Sequence, residues 1–190
     1  MIETLSNVMT AFGLSASAGL NAYLPLLVVA LTARFTNLIQ LQEPWNVLTS
    51  WWVIGALVVL LVIEMTVDKI PAVDTVNDIV QTVGRPAAGA VLFAANSGVI
   101  GDVHPALALI AGLLVAGGVH AAKTTVRPVI TASTGGTGNW LVSTLEDVLA
   151  FLASVLAILV PVIIFLAVIF FFIVFFWWRS RRRRERVAAI

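Results

Sequence analysis

From Trp140 to Trp178 the chain carries only two charged residues, Glu146 and Asp147, and none between Asp147 and Arg179. As one helix this stretch would be about 58 Å long at 1.5 Å per residue, nearly twice the ~30 Å hydrocarbon core of a bilayer. The rest of the chain is scarcely more polar. Apolar residues make up 60% of the sequence and charged residues 11%, against roughly 25% charged in an ordinary soluble domain. Mean hydropathy is +1.03. A water-soluble fold of 190 residues has too little interior to hide so much apolar surface. The expected solvent is lipid, and the expected class is an all-α, polytopic helical membrane protein.

Candidate spans fall at 8–33, 51–67, 86–101, 104–122, 140–160 and 161–178. Pro161 removes a backbone donor and biases Val160 away from helix, so 140–178 either folds as a tight hairpin or continues as one kinked helix. Positive charge decides for the hairpin. Arg179, Arg181, Arg182, Arg183, Arg184 and Arg186 crowd the end of the chain, and such a tail belongs inside. Six spans then put both termini and Lys69, Arg85, Lys123 and Arg127 on the cytoplasmic side, with Arg34 opposite; five spans would break the rule. Tryptophan, which prefers the headgroup level, sits at the expected boundaries: Trp45, Trp51 and Trp52 at one, Trp140, Trp177 and Trp178 at the other. This organisation is a single transmembrane domain over 1–178 and a basic cytoplasmic tail over 179–190, the tail resting on anionic lipid. Localisation in a bacterial inner membrane is expected, and no signal peptide: Ala16-Ser17-Ala18 imitates a cleavage site, but no basic residue precedes it. The absence of cysteine excludes disulfides and thiol chemistry.

The middle of the chain reads as a hairpin written twice, 51–67 with 86–101 and 104–122 with 140–160, each joined through a polar stretch. In the first stretch Val73, Val76, Ile79, Val80 and Val83 share one helical side, and Asp74, Asp78, Gln81 and Arg85 the other. That pattern fits an amphipathic helix near 71–85 lying in the headgroup plane, or a re-entrant one whose polar stripe lines a cavity. The second stretch, Pro128 to Asn139, holds Gly135, Gly136 and Gly138 among hydroxyl residues. It reads as a connecting loop, or as backbone N–H groups turned toward an anion.

Ionisable side chains at membrane depth are functional candidates by default. Glu64, Asp68, Asp74, Asp78, Glu146 and Asp147 are the candidate ligands or proton carriers, with Lys69, Arg85, Lys123 and Arg127 as counter-charges; His120 lies at a similar depth. The same set could equally be structural ion pairs. Asn21 joins the ligands because Pro25 frees its carbonyl inside the first span, and interrupted helices with exposed polar groups build transporter sites. The small residues around Asn21, and Gly112, Gly117 and Gly118, suit close helix packing. Enzyme motifs are poor. Asp74-x-x-Asn77-Asp78 has Gln81 where a further magnesium-binding aspartate would be wanted, and His104 and His120 fall on opposite sides. No enzyme activity, cofactor or nucleic-acid partner is expected; a residual carboxylate pair could hold a metal ion or shuttle a proton, and the sequence does not decide which.

Gly19-Leu20-Asn21-Ala22-Tyr23, Asp68-Lys69-Ile70-Pro71-x-Val73-Asp74, Asp78, Gln81-Thr82, Arg85-Pro86-x-x-Gly89-Ala90, and Thr134-Gly135-Gly136-x-Gly138-Asn139 running to Glu146-Asp147 together resemble a family of small bacterial polytopic membrane proteins that is defined as a domain of unknown function. The resemblance spans nearly the whole chain. It implies a polytopic inner-membrane protein and no particular activity. On physical grounds the expected function is a small transporter or channel-like protein, oligomeric, for a cation or small polar solute. The competing expectation is a non-transporting accessory or scaffold protein packed on partner membrane subunits.

Overall fold

The computed structural model describes residues 2–67, 71–97 and 103–160. Regular structure among them is entirely helical. Helix α1 (Ile2–Leu20) is followed after two residues by α2 (Tyr23–Phe35). A short 3-10 turn at Trp45–Thr49 leads into α3 (Trp51–Val67), and then come α4 (Pro71–Ser97) and α5 (Pro105–Thr134). A four-residue turn joins α5 to α6 (Asn139–Val160). Residues Met1–Ile158 form one compact unit. The break expected at Pro161, the span 161–178 and the arginine tail lie outside the described residues. Helices α5 and α6 are long and apolar enough to cross a membrane; α2 and α3 are apolar but shorter.

Three expectations change. The stretch 71–85 is not a separate amphipathic or re-entrant helix: it is the first half of α4, which runs through Pro86 to Ser97. Likewise α5 does not end near 122 but continues through Pro128 to Thr134. A proline removes a single donor, whereas unwinding the chain on either side would strand several more backbone groups, so the helix persists. The doubled hairpin is also not observed as two equivalent packed pairs. Helix α3 packs chiefly against α2, while α4 packs against α5 and α1.

Small residues explain how α1, α4 and α5 meet. A Cβ on Gly89 would strike the Cβ of Ala116 and lie 2.8 Å from the Gly112 carbonyl oxygen. One on Gly19 would lie 2.6 Å from the Ala116 oxygen. Ser15 bridges the seam, its hydroxyl donating to the Gly89 carbonyl at 2.8 Å. Of the other two glycines expected to pack, Gly117 makes only ordinary contact with Pro86 and Gly118 faces open space. Helix α6 runs antiparallel along α1: Thr10 donates to the Ala157 carbonyl at 2.9 Å and Ser154 to Ser17 Oγ at 2.9 Å.

Apolar side chains cover the outside as well as filling the core, and several ionisable ones are buried. In α4, Ile79, Val80 and Val83 face outward, while Gln81 and Arg85 of the opposite stripe are buried, Arg85 completely. Leu114, Val129, Leu145 and Trp52 are exposed, and Glu64, His120, Lys123, Arg127 and Asp147 are buried. At the far end of α2, Arg34 donates to the Thr49 carbonyl at 2.6 Å and stacks over the Trp51 ring at 4.2 Å.

Candidate functional site

The organising feature is the interruption between α1 and α2. The sequence places a proline at 25, and the break falls one turn earlier. Ala22 has helical backbone angles, so Asn21 occupies the cap position of α2. Its side-chain oxygen accepts from Tyr23 N at 3.1 Å and Leu24 N at 2.9 Å, the usual bonds of an N-cap asparagine. The Ala22 N–H points instead to Glu64 Oε1 at 3.4 Å. Pro25 has no N–H to satisfy. The first-turn donors of α2 are thereby all accounted for.

Opposite charges face the two broken ends. Glu64 sits at the positive N-terminus of α2. At the negative C-terminus of α1, Lys123 Nζ reaches the Leu20 carbonyl at 3.4 Å. Both placements complement the helix dipoles. Asn21, between them, donates through Nδ2 to Asp147 Oδ1 at 2.9 Å.

Two ionic groups extend from these ends. In the first, Arg85 donates through Nε and Nη2 to Glu64 Oε1 at 3.3 and 3.1 Å, both side chains being essentially inaccessible. Arg85 Nη1 also lies 3.1 Å from His120 Nδ1. A guanidinium can only donate, so Nδ1 accepts. The His120 proton then belongs on Nε2, which faces Thr82 Oγ1 at 3.3 Å. In the second group Lys123 Nζ pairs with Glu146 Oε2 at 3.0 Å, and Arg127 Nη2 approaches the same oxygen at 3.6 Å.

Beside this second group lies a half-open cavity of about 290 Å³, lined by Leu20, Val119, Ala122, Lys123, Val126, Arg127, Ile130, Val142 and Glu146. Its wall is aliphatic except for the two cations, the one carboxylate and the end of α1.

The sequence-predicted residues divide accordingly. Asn21, Glu64, Arg85, Lys123, Arg127, Glu146 and Asp147 are gathered around the break. Asp68 and Lys69 lie outside the described residues, as do the side chains of Asp74 and Asp78. His120 was no more than a neighbour by depth in the sequence, yet it connects Arg85 to Thr82. Its signal was present: Ala108, Gly112, Ala116, His120, Lys123 and Arg127 are buried at successive turns of α5, one stripe changing from small to ionisable. His104 caps α5 instead, accepting from Ala106 N at 3.2 Å through Nδ1. Among the described residues no three His, Asp or Glu side chains converge as a metal site.

The glycine-rich turn is a connection, the first of its two readings, and the alternative of N–H groups turned toward an anion is not supported. Gly135 takes left-handed angles and its N–H returns to the Thr131 carbonyl, as does that of Gly136 at 3.0 Å. The N–H groups of Thr137 and Asn139 bond to the carbonyls of Thr134 and Gly136, and that of Gly138 to Thr134 Oγ1. This is a Schellman-type close that consumes its own donors.

No curated protein matches the chain, and no solved structure does. A family model described as "Domain of unknown function (DUF4126)" matches residues 8–181, almost the full length, and the chain belongs to that family.

Proposed function

We propose that this protein is a small six-span membrane protein of the inner membrane that transports, or forms a path for, a cation or small polar solute, with its site at the interruption of the first span. The observation that carries the reading is the broken helix whose two ends are faced by Glu64 and Lys123 beside a cavity. Interrupted helices near a pocket offer backbone and dipoles to a solute while adjoining helices keep the remaining polar groups satisfied. The distribution of polarity supports the membrane: large apolar side chains cover the outside, and Glu64, Arg85 and Lys123 are buried in pairs. Of the two solute classes, a small polar solute fits the cavity better, because its wall holds cations as well as the carboxylate.

The test is flux in liposomes containing the purified protein. Wild type is expected to pass solute, and Glu146→Gln, verified as folded, is expected to change the rate by about tenfold, the size of a lost charge-assisted contact. Absence of flux for every ion and small solute offered, or identical flux in the variant, removes the proposal. The second reading, an accessory scaffold, draws support from the mutual pairing of Glu64 with Arg85 and Glu146 with Lys123. It expects no flux and co-purification with a partner subunit that Leu114→Arg on the outer face of α5 abolishes.

A further inference from the structure

The two helices that meet at Asn21 do not continue one another. Followed back from the break, α1 hydrogen-bonds Gly89 through Ser15 and sets Phe12 edge-on to Phe93 at 4.9 Å. Ala11 then joins Phe93, Ala94 and Ala108 in an apolar cluster, against which Trp45 packs. Followed forward, α2 ends with Arg34 on the Thr49 carbonyl and over the Trp51 ring. Trp45 and Trp51 are joined through the 3-10 turn Trp45–Thr49, which at ~2.0 Å per residue lets them lie only about 15 Å apart. One straight helix would separate Ala11 from Arg34 by about 35 Å. The far ends of α1 and α2 therefore share one end of the bundle, and the pair is a hairpin with Asn21 at its tip. Helix α3 agrees with this direction: from Trp51 it runs back about 20 Å and delivers Glu64 to the tip. The tip is buried, Asn21 at 1% and Ala22 at 0% exposure. It lies at the level of Arg85 and His120, near the middles of α4 and α5. The cavity lies beyond it: the α5 residues in its wall run from Val119 to Ile130, toward the α5–α6 turn.

We infer that α1 and α2 form a re-entrant hairpin that closes the solute path at the end of the 36–50 loop and leaves the polar site open toward the α5–α6 turn alone. The stretch 8–33 is still the first membrane segment of the six, but it enters and returns on one side. The start of α1 and the 36–50 loop then share a face of the membrane, and the α5–α6 turn lies on the other. Non-helical backbone at membrane depth is tolerated where protein buries it, a condition that Asn21 and Ala22 meet. Half-length helices whose ends meet at mid-depth are also how transporters present backbone to a solute. The hairpin gives the proposed function a direction, and that consequence rests on the transport reading. Solute enters the cavity from the turn side. Passage onward requires the tip to leave Asp147, Glu64 and Lys123, side chains that hold it.

The chain has no cysteine, so single substitutions give unique thiols. Asn37 and Ser133 are exposed and Asn7 is half-buried. With the full chain in nanodiscs, spin-label distances are measured for Asn7→Cys/Asn37→Cys and for Asn37→Cys/Ser133→Cys, and the first pair is expected to be the closer. The reverse order, which a continuous 8–33 helix requires, overturns the hairpin. Sidedness is read with a membrane-impermeant maleimide on spheroplasts of expressing cells and on inside-out vesicles from them. Asn7→Cys and Asn37→Cys are expected to react in the same preparation, and Ser133→Cys in the other. Reaction of Asn7→Cys together with Ser133→Cys, and apart from Asn37→Cys, overturns re-entry. The opening is read at Val142→Cys on the cavity wall with a charged methanethiosulfonate, which is expected to react only in the preparation that labels Ser133→Cys. Reaction from the Asn37 side, or from neither, overturns the one-sided access. The expected labelling without flux of any solute defeats the transport reading and leaves the hairpin. Flux in a protein whose Asn37→Cys labels from the Ser133 side defeats the hairpin and leaves the transport reading.

Discussion

One stripe of α5 shows two ways of holding helices together. Its first half, Ala108, Gly112 and Ala116, lets backbones touch: a Cβ on Gly112 would strike the Gly89 carbonyl oxygen and lie 2.6 Å from the Phe93 Cβ. Its second half, His120, Lys123 and Arg127, reaches its neighbours through polar side chains, a neutral imidazole to Arg85 and two cations to the end of α1 and Glu146. Dispersion and close approach suffice in the first region. In the second, every contact requires a polar partner, and the length of the side chains leaves the space that becomes the cavity. Packing closes the bundle at one end, and electrostatics holds it open at the other.

The largest effect is expected where the ionic half is broken from one side only. Arg85→Met leaves Glu64 buried at 1% exposure beside the N-terminus of α2 without its guanidinium. Removing one partner of a buried pair costs about 3–5 kcal/mol, whereas replacing both by apolar residues is often close to neutral. Detergent-unfolding free energies should therefore show Arg85→Met far less stable than Glu64→Met/Arg85→Met. If the double variant is the weaker of the two, the charges are not compensating one another and the comparison between the halves fails.

The packed half gives the next effect. Gly112→Val forces branched carbons against the Gly89 carbonyl, a backbone atom that cannot swing aside, and overpacking of this kind costs about 1–3 kcal/mol. Gly118, two turns nearer the charges, has open space around its Cβ position. Gly118→Ala should leave stability unchanged or raise it by up to about 1 kcal/mol through helix propensity. Equal responses at the two glycines would mean that the seam is not a close-packed contact.

The two halves were unequally legible in the sequence. The ionic half could be read from the cost of burying charge: Glu64, Arg85, Lys123, Arg127, Glu146 and Asp147 stand out in an apolar chain, and the structure gathers them. Asn21 was found through Pro25, although the break lies at the asparagine, because its side chain can cap while a proline only tolerates the first turn. Helix limits were harder. Pro86 and Pro128 read as boundaries by local rules, but a proline removes one donor while unwinding the helix around it would strand several backbone groups. The Leu20 carbonyl was hidden for another reason: a main-chain oxygen carries no pattern of its own, and only the folding of α5 beside the break brings Lys123 to it.

The smallest expected effect bears on the point where the halves join. Asn21 performs two tasks: its oxygen caps α2 and its amide N–H holds Asp147. Asn21→Ala loses both, and loss of an N-cap asparagine alone costs about 1 kcal/mol. Asn21→Asp keeps a capping oxygen but sets a carboxylate against Asp147, so with Asp147 ionised it should be less stable than the alanine variant despite retaining the cap. Asn21→Asp/Asp147→Asn restores one amide and one carboxylate with their places exchanged, and should recover most of the loss in the same unfolding assay. Recovery shows that the amide–carboxylate bond between the cap of α2 and α6 fixes the break. If Asn21→Asp instead behaves like wild type, capping alone sets the geometry, and Asp147 has no part in holding the two ends in place.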